Sequence, residues 1–109
     1  MMVFGQEGAA GLVPYATAVE GQRLMAKSAA RQWAVDGISG LIVAPRLEAL
    51  VDDRSRLDGT DALRTTPVLA PDSYGPDAVA GIVSMVVAPN ARALSGATLP
   101  VDGGALMAP

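Results

Sequence analysis

Tyr15 stands where a long helix-forming stretch begins, and it is the first residue whose type and place could support chemistry. A phenol at an accessible helix start can give or take a proton, and the residue four positions later shares its helical face. That residue is Val19, whose side chain neither carries a charge nor donates a hydrogen bond. Tyrosine at a helix start is also commonly a packing residue whose hydroxyl meets water. Both interpretations of Tyr15 stay open on these two residues alone.

Composition excludes several other kinds of site. The 109 residues include no cysteine and no histidine, which removes disulfides, thiolate metal sites, imidazole bases and the Ser-His-Asp and Cys-His arrangements. A metal ion would have to be bound by carboxylates alone. The formal net charge is −3, with eight basic residues spread along the chain, so the sequence predicts no nucleic-acid partner.

The pattern of apolar residues predicts an α/β fold. Ala16 to Val35 is rich in helix formers and is followed by Asp36-Gly37, which predicts a long helix and its end. The apolar run from Ile38 to Pro45 then predicts a strand buried on both faces of a parallel sheet. Gly8, Gly11 and Pro14 are expected to mark a loop before the helix.

The second half predicts another helix and a final strand. Pro76 suits a first helical turn, the apolar residues after it repeat at helical spacing, and Pro89 is expected to end the pattern. Ala97 to Val101 predicts the last strand, and "MMVF" at residues 1–4 predicts the first. About three mostly parallel strands with two long helices follow, along with one short helix expected between Leu47 and Arg54.

A chain of this length and hydrophobicity predicts a single domain. We expect residues 1–109 to form one partial domain made of four parts, namely a strand and loop at 1–14, the Tyr-led helix and a strand at 15–45, a variable loop at 46–75, and a helix with the terminal strand at 76–104.

Three segments in a fixed order carry a resemblance to a known family. They are "YATAVEGQRLMAKSAARQWAVDGI", then "VAP", then "VAGIVSMVVAPNARALSGATLPVDGG". In this order they resemble the carboxy-terminal part of the short-chain dehydrogenase/reductase family, from about residue 1 to residue 104. The resemblance implies a truncated Rossmann-like fold and an ancestry among NAD(P)-dependent alcohol or ketone oxidoreductases, such as those acting on 3-oxoacyl substrates.

The resemblance also assigns the catalytic role to Tyr15. In the family this tyrosine protonates the substrate carbonyl, while a lysine four positions later stabilises the phenolate and holds the nicotinamide ribose. Val19 occupies the lysine position. The only lysine, Lys27, lies twelve residues after Tyr15, or about 18 Å along a helix. Arg23 is closer but would have to fold back over the turn that Val19 occupies.

Other family features are missing from the sequence. The interval expected to hold the catalytic serine contains Met2, Val3 and Phe4, and the glycine and threonine that follow the family's "PG" turn are replaced by Arg46, Leu47 and Leu50. The glycine-rich "TGxxxGxG" turn is also not found. We therefore expect that this chain binds no cofactor alone, although the family implies NAD(P), and that it is inactive alone.

An alternative places the cofactor turn in "GQEGAAG", with Asp36 or Glu48 as the acid that binds the ribose. The G-x-x-G-x-x-G spacing fits neither nucleotide-binding fingerprint, and Pro14 interrupts the junction with the helix.

The charged segment from Glu48 to Arg64 has two interpretations, a substrate lid or a plain solvated loop. The loop is favoured because a lid needs a site to close over.

A second class of function is a non-catalytic partner or scaffold subunit in an assembly of similar proteins. Met25, Ala29 and Trp33 fall on one stripe of the first helix, which predicts a homo-oligomer or a partner chain bound there.

The sequence predicts no membrane segment, because the apolar run "VAGIVSMVVA" is too short and "MMVFGQEGAAG" lacks a cationic leader region. A cytoplasmic location is the expectation.

Overall fold

The computed structural model describes residues 10–46, 68–70 and 73–106. Within them the elements follow in the order α1 (Val13–Trp33), β1 (Ile42–Pro45), α2 (Pro76–Val86) and β2 (Thr98–Val101). A short 3-10 helix at Ala34–Asp36 continues from α1, and a second one at Pro89–Leu94 precedes β2. The strand predicted at residues 1–4 and the short helix predicted between Leu47 and Arg54 lie outside the described residues.

Helix α1 starts three residues before the predicted Ala16, at Val13. Pro14 lies in its first turn, where a missing backbone N–H removes no helical hydrogen bond and the fixed φ of proline suits the helix. The expectation that Pro14 belongs to a loop and interrupts the entry to the helix was therefore wrong. The amide of Ala16 already donates to the carbonyl of Leu12 at 2.8 Å, which closes the first turn around this proline.

The helical segment ends at Asp36-Gly37, where the sequence predicts it. Gly37 has φ 74°, a left-handed conformation that glycine adopts without a steric penalty. Its amide donates to the carbonyl of Ala34 at 3.0 Å, and the amide of Ile38 donates to the carbonyl of Trp33 at 3.2 Å. This pair of bonds is the Schellman arrangement, which satisfies carbonyls left free at a helix end.

Strands β1 and β2 pair in parallel, with Ile42 opposite Thr98 and Pro45 opposite Val101. Ile42, Ala44 and Pro45 are buried and Val43 is half-buried, so within the described part both faces of β1 carry a buried residue, as the sequence predicts. β1 is, however, shorter than the predicted run from Ile38 to Pro45. The segment at residues 37–41, in which Gly37 alone has turn geometry, is irregular instead, and we call it the connecting turn.

Two glycine contacts hold that turn in place. The amide of Gly96 donates to the carbonyl of Gly40 at 2.7 Å. A methyl group on Gly40 would lie 3.4 Å from Cβ of Ala30, so α1 sits closely against this turn. The turn thus joins α1 to the segment that enters β2.

Helix α2 begins at Pro76, as predicted, and ends at Val86, before Pro89, which opens the second 3-10 helix. α2 is almost entirely apolar, yet none of its residues is buried in the described part of the protein. Val83 and Met85 are 43% and 54% exposed. A helix that is apolar on all sides is normally buried, so α2 presents an apolar surface that remains uncovered here.

Candidate functional site

Tyr15 is the third residue of α1 and is 39% exposed. The helical turn that contains Tyr15 is spanned by a bond from the hydroxyl of Thr17, which donates to the carbonyl of Val13 at 2.8 Å. The structure therefore places the phenol at the accessible start of a well-formed helix. This is the location from which the predicted proton transfer would have to occur.

Val19 lies one turn after Tyr15 and is only 8% exposed. Val19 and Ala30 are the buried residues of α1, so the position that the resemblance assigns to lysine belongs to the apolar face of the helix. The sequence shows that this position lacks an ammonium. The structure adds that it is an interior packing position, where an unpaired charge would lose its hydration.

The neighbouring cations of α1 do not replace that lysine. Arg23 donates through Nε to Oε2 of Glu20 at 2.7 Å, and its Nη2 donates to the same oxygen. Its guanidinium is thus held by the acid of its own helix. Lys27 lies about two turns beyond the position of Val19, at about 18 Å from Tyr15 along the helix axis.

The carboxyl ends of β1 and β2 bring together two buried charged residues that sequence reasoning did not single out as a pair. Arg46 and Asp102 directly follow the paired residues Pro45 and Val101, and they are 3% and 4% exposed. This edge is where open α/β sheets bind ligands. The sequence carries no signal for their burial, because burial depends on which chain segments cover the sheet edge.

Asp102 has a structural role at this edge. Its Oδ1 accepts a hydrogen bond from the amide of Gly104 at 3.0 Å, and its Oδ2 accepts one from the amide of Leu106 at 2.9 Å. Both oxygens therefore organise the turn that leaves β2. A groove of about 450 Å³ opens beside this turn, and its lining includes Ser73, Ile82 and Asp102.

Several predicted site positions lie outside the described residues, namely Met2, Val3, Phe4, Leu47, Glu48 and Leu50. The charged segment from Glu48 to Arg64 lies outside them as well. Asp36, the other acid considered for ribose binding, is exposed at the end of the first 3-10 helix. Most of the glycine-containing segment "GQEGAAG" also lies outside the described residues.

The described ranges contain neither a metal-binding cluster nor a membrane-spanning helix. No cluster of three or more acidic, histidine or cysteine side chains there could hold a metal ion. No helix in the same ranges combines the length and the apolar character needed to cross a bilayer.

Comparison with known proteins found no matching family model. Among solved structures, the chain is similar to an oxidoreductase of the short-chain dehydrogenase/reductase family from Burkholderia thailandensis, known from a crystal structure. The sequence identity is 32% and the TM-score is 0.69. The match covers 96% of this chain but 41% of the oxidoreductase. The chain is therefore an α/β protein with the arrangement of a partial Rossmann-like fold, similar over nearly its whole length to a part of a short-chain dehydrogenase/reductase.

Proposed function

We propose that this chain forms the carboxy-terminal part of a short-chain dehydrogenase/reductase fold and does not reduce ketones by itself. The observation that carries the proposal is the combination of 32% identity to an oxidoreductase of that family with a buried valine at the lysine position. The first supports the ancestry and the second argues against catalysis. By ancestry the reaction is NAD(P)-dependent oxidation of an alcohol or reduction of a ketone, such as a 3-oxoacyl thioester.

The described residues do not fit the nicotinamide cofactor. Holding the ribose requires a hydrogen-bond donor one turn after Tyr15, and Val19 has none. Arg23 is engaged by Glu20, and Lys27 is too distant along α1. No catalytic step through the cofactor follows from this set of side chains, so Tyr15 is a remnant of the family's catalytic set.

A non-catalytic subunit is the second candidate function, and the exposed side of α1 favours it. Met25 and Trp33 are 67% and 48% exposed, and Ala29 between them is half-buried. Large apolar side chains that share a helical face commonly mark an interaction surface. We propose that a second copy or a partner chain of similar fold covers this stripe.

An assay of the purified chain tests the first proposal. The chain would be mixed with NADH or NADPH and a 3-oxoacyl thioester, and oxidation of the cofactor would be followed by absorbance. The expected result is a rate equal to that of a protein-free control, and no cofactor binding by fluorescence. Turnover that disappears in Tyr15→Phe would show instead that a complete site forms, and would reject the proposal of inactivity.

A further inference from the structure

A groove separate from the tyrosine site runs between the second half of α1 and the residues that precede β2. Its volume is about 640 Å³. Lys27, Ser28, Arg31 and Ser95 supply its polar lining, and Leu24, Ala30 and Ala34 are among its apolar walls. We call it the basic groove. Its lining starts at Leu24, about 13.5 Å along the helix axis from Tyr15, and Lys27 lies about 18 Å away, so the groove does not belong to the site discussed above.

The walls of the basic groove are fixed by hydrogen bonds elsewhere in the fold. The amide of Gly96 donates to the carbonyl of Gly40 at 2.7 Å, and the hydroxyl of Ser95 is bonded to the same glycine. Ala30 is buried and packs against the turn that contains Gly40. The groove is therefore bounded by preorganised backbone on one side and by a helix on the other, which reduces the entropy lost when a ligand binds.

The charge of the groove is uncompensated within the described part of the chain. Lys27 and Arg31 both line it, none of the described residues that line it is acidic, and the nearby acid Glu20 is paired with Arg23. Two cations spaced four residues apart on a helix repel each other and destabilise the helix slightly. The protein as a whole is acidic, with a net charge of −3, so this local excess of positive charge is not a general property of its surface.

The hydroxyl of Ser28 provides a second, independent observation. Thr17 and Ser84, which also lie within helices, donate their hydroxyls to the carbonyl four residues earlier, at 2.8 Å and 3.0 Å. This is the usual local bond for such residues. Ser28 makes no hydrogen bond of this kind in the described structure, and its side chain lines the basic groove. A donor is thus left available beside the two cations.

A purely structural explanation accounts for only part of this arrangement. Arg31 lies in the last turn of α1, where a cation interacts favourably with the helix dipole. Lys27 is half-buried and lies further from the helix end, so the dipole does not explain it. The dipole also does not explain the orientation of Ser28 or the gathering of these side chains along one groove.

We infer that the basic groove binds a phosphate group, with Lys27 and Arg31 neutralising its charge and Ser28 donating a hydrogen bond. Guanidinium groups match the geometry of phosphate oxygens, and an ammonium contributes a compact charge. The apolar walls formed by Leu24, Ala30 and Ala34 suit a small organic body attached to the phosphate. This inference is independent of the proposed oxidoreductase ancestry, and the failure of either leaves the other standing.

Titration of the full chain with inorganic phosphate and with glycerol phosphate, at constant ionic strength set by chloride, tests the inference. Backbone amide resonances would be followed by NMR. The expected result is saturable shifts at Ser28, Arg31 and Ser95. Tighter binding of glycerol phosphate would identify a phosphate ester as the ligand, and equal affinities would identify phosphate itself. Shifts that are absent, or that chloride alone reproduces, would overturn the inference.

Matched variants separate a specific site from general attraction of anions. Lys27→Gln combined with Arg31→Gln should weaken phosphate binding at least about tenfold, because both charge-assisted contacts to the phosphate would be lost. Lys27→Arg combined with Arg31→Lys keeps the charge and should retain saturable binding. Unchanged affinity in the neutral variant would also overturn the inference. If the neutral variant does not fold, the pattern of shifts in the unaltered chain decides the question.

Discussion

Ser95 and Gly40 are 55 residues apart in the chain and exchange hydrogen bonds in both directions. The amide of Gly40 donates to Oγ of Ser95 at 3.2 Å, and the Ser95 hydroxyl lies 3.4 Å from the carbonyl oxygen of Gly40. The side chain of Arg92 donates to the carbonyl of Gly37 in the same turn. These contacts connect the turn after α1 to the segment that enters β2, and so they fix the start of both strands.

Replacing Ser95 with alanine should lower the free energy of unfolding by about 1 kcal/mol, because the amide of Gly40 would lose its acceptor. Urea denaturation followed by far-UV circular dichroism measures the change. Ser84→Ala is the matched control. It removes only a local bond within α2 and should alter stability by less than about 0.5 kcal/mol. Equal effects of the two substitutions would mean that the bond to Gly40 contributes nothing.

Gly37 at the end of the first helical segment and Gly21 inside α1 should respond to alanine in opposite directions. Gly37 has φ 74°, so Gly37→Ala should destabilise the protein by about 1 kcal/mol or more. Gly21 lies inside α1, and a methyl group there would meet nothing within 4 Å, so Gly21→Ala should stabilise the protein by about 0.5–1 kcal/mol. Thermal unfolding of both variants tests the pair. A loss of stability in Gly21→Ala would indicate that another chain approaches this helix face closely.

Asp102→Ala should be among the more destabilising single substitutions in the described part of the chain. The carboxylate is 4% exposed and accepts hydrogen bonds from Gly104 and Leu106. Removing it leaves two amides without partners, at a cost of about 1–3 kcal/mol for each that stays buried. Asp102→Asn keeps one acceptor oxygen and should cost less. Chemical denaturation distinguishes them, and an alanine variant as stable as the parent protein would contradict the structural role.

Val19→Lys should not create a reductase. The position is 8% exposed, so a lysine there must desolvate its ammonium or rearrange α1, and it would have no bound ribose to hold. The expected results are a lower midpoint of thermal unfolding and no oxidation of NAD(P)H. Val19→Leu keeps the position apolar and serves as the control for packing. Any gain of turnover in the lysine variant would reveal a cofactor site near Tyr15.

The exposed apolar stripe of α1 should be covered in solution by a second copy or a partner. Burial of several hundred Å² of apolar surface contributes several kcal/mol at about 25 cal/mol per Å², which is comparable to the stability of a small domain. Sedimentation at micromolar concentration should therefore detect a dimer or larger assembly. Trp33→Ser should weaken the assembly. Val35→Ser, a control at a site that is 88% exposed, should leave it unchanged. A folded monomer whose Trp33 fluorescence is unchanged by dilution would contradict the proposed assembly.

Local signals in the sequence were sufficient for much of the secondary structure. The end of α1 at Asp36-Gly37 and the start of α2 at Pro76 follow from backbone preferences of glycine and proline. The position of Pro14 was predicted wrongly because proline is common both in loops and in the first turn of a helix. The strand was predicted too long, because Ile38 and Leu41 are as apolar as the residues of β1, whereas the pairing with β2 begins only at Ile42.

The candidate site was less predictable than the fold. The sequence shows that position 19 holds valine and not lysine, but the burial of Val19 depends on the packing of α1. The burial of Arg46 and Asp102 has the same origin, since both positions are charged and would be assigned to the surface by their type alone. The sequence does not predict the basic groove, for a related reason. Ser95 joins Lys27 and Arg31 only after the chain has folded back on itself.

The parallel pairing of β1 with β2 also has a consequence for the kinetics of folding. The two strands are separated by roughly fifty residues, so their pairing must close a long loop, whereas α1 and α2 form from local contacts. The helices should therefore form early and the strand pairing late. Because the entropy of loop closure rises only with the logarithm of loop length, even a doubled connection would add about 0.6 kcal/mol to that cost. Insertions in the connection between the strands should accordingly slow folding slightly and leave the paired strands intact.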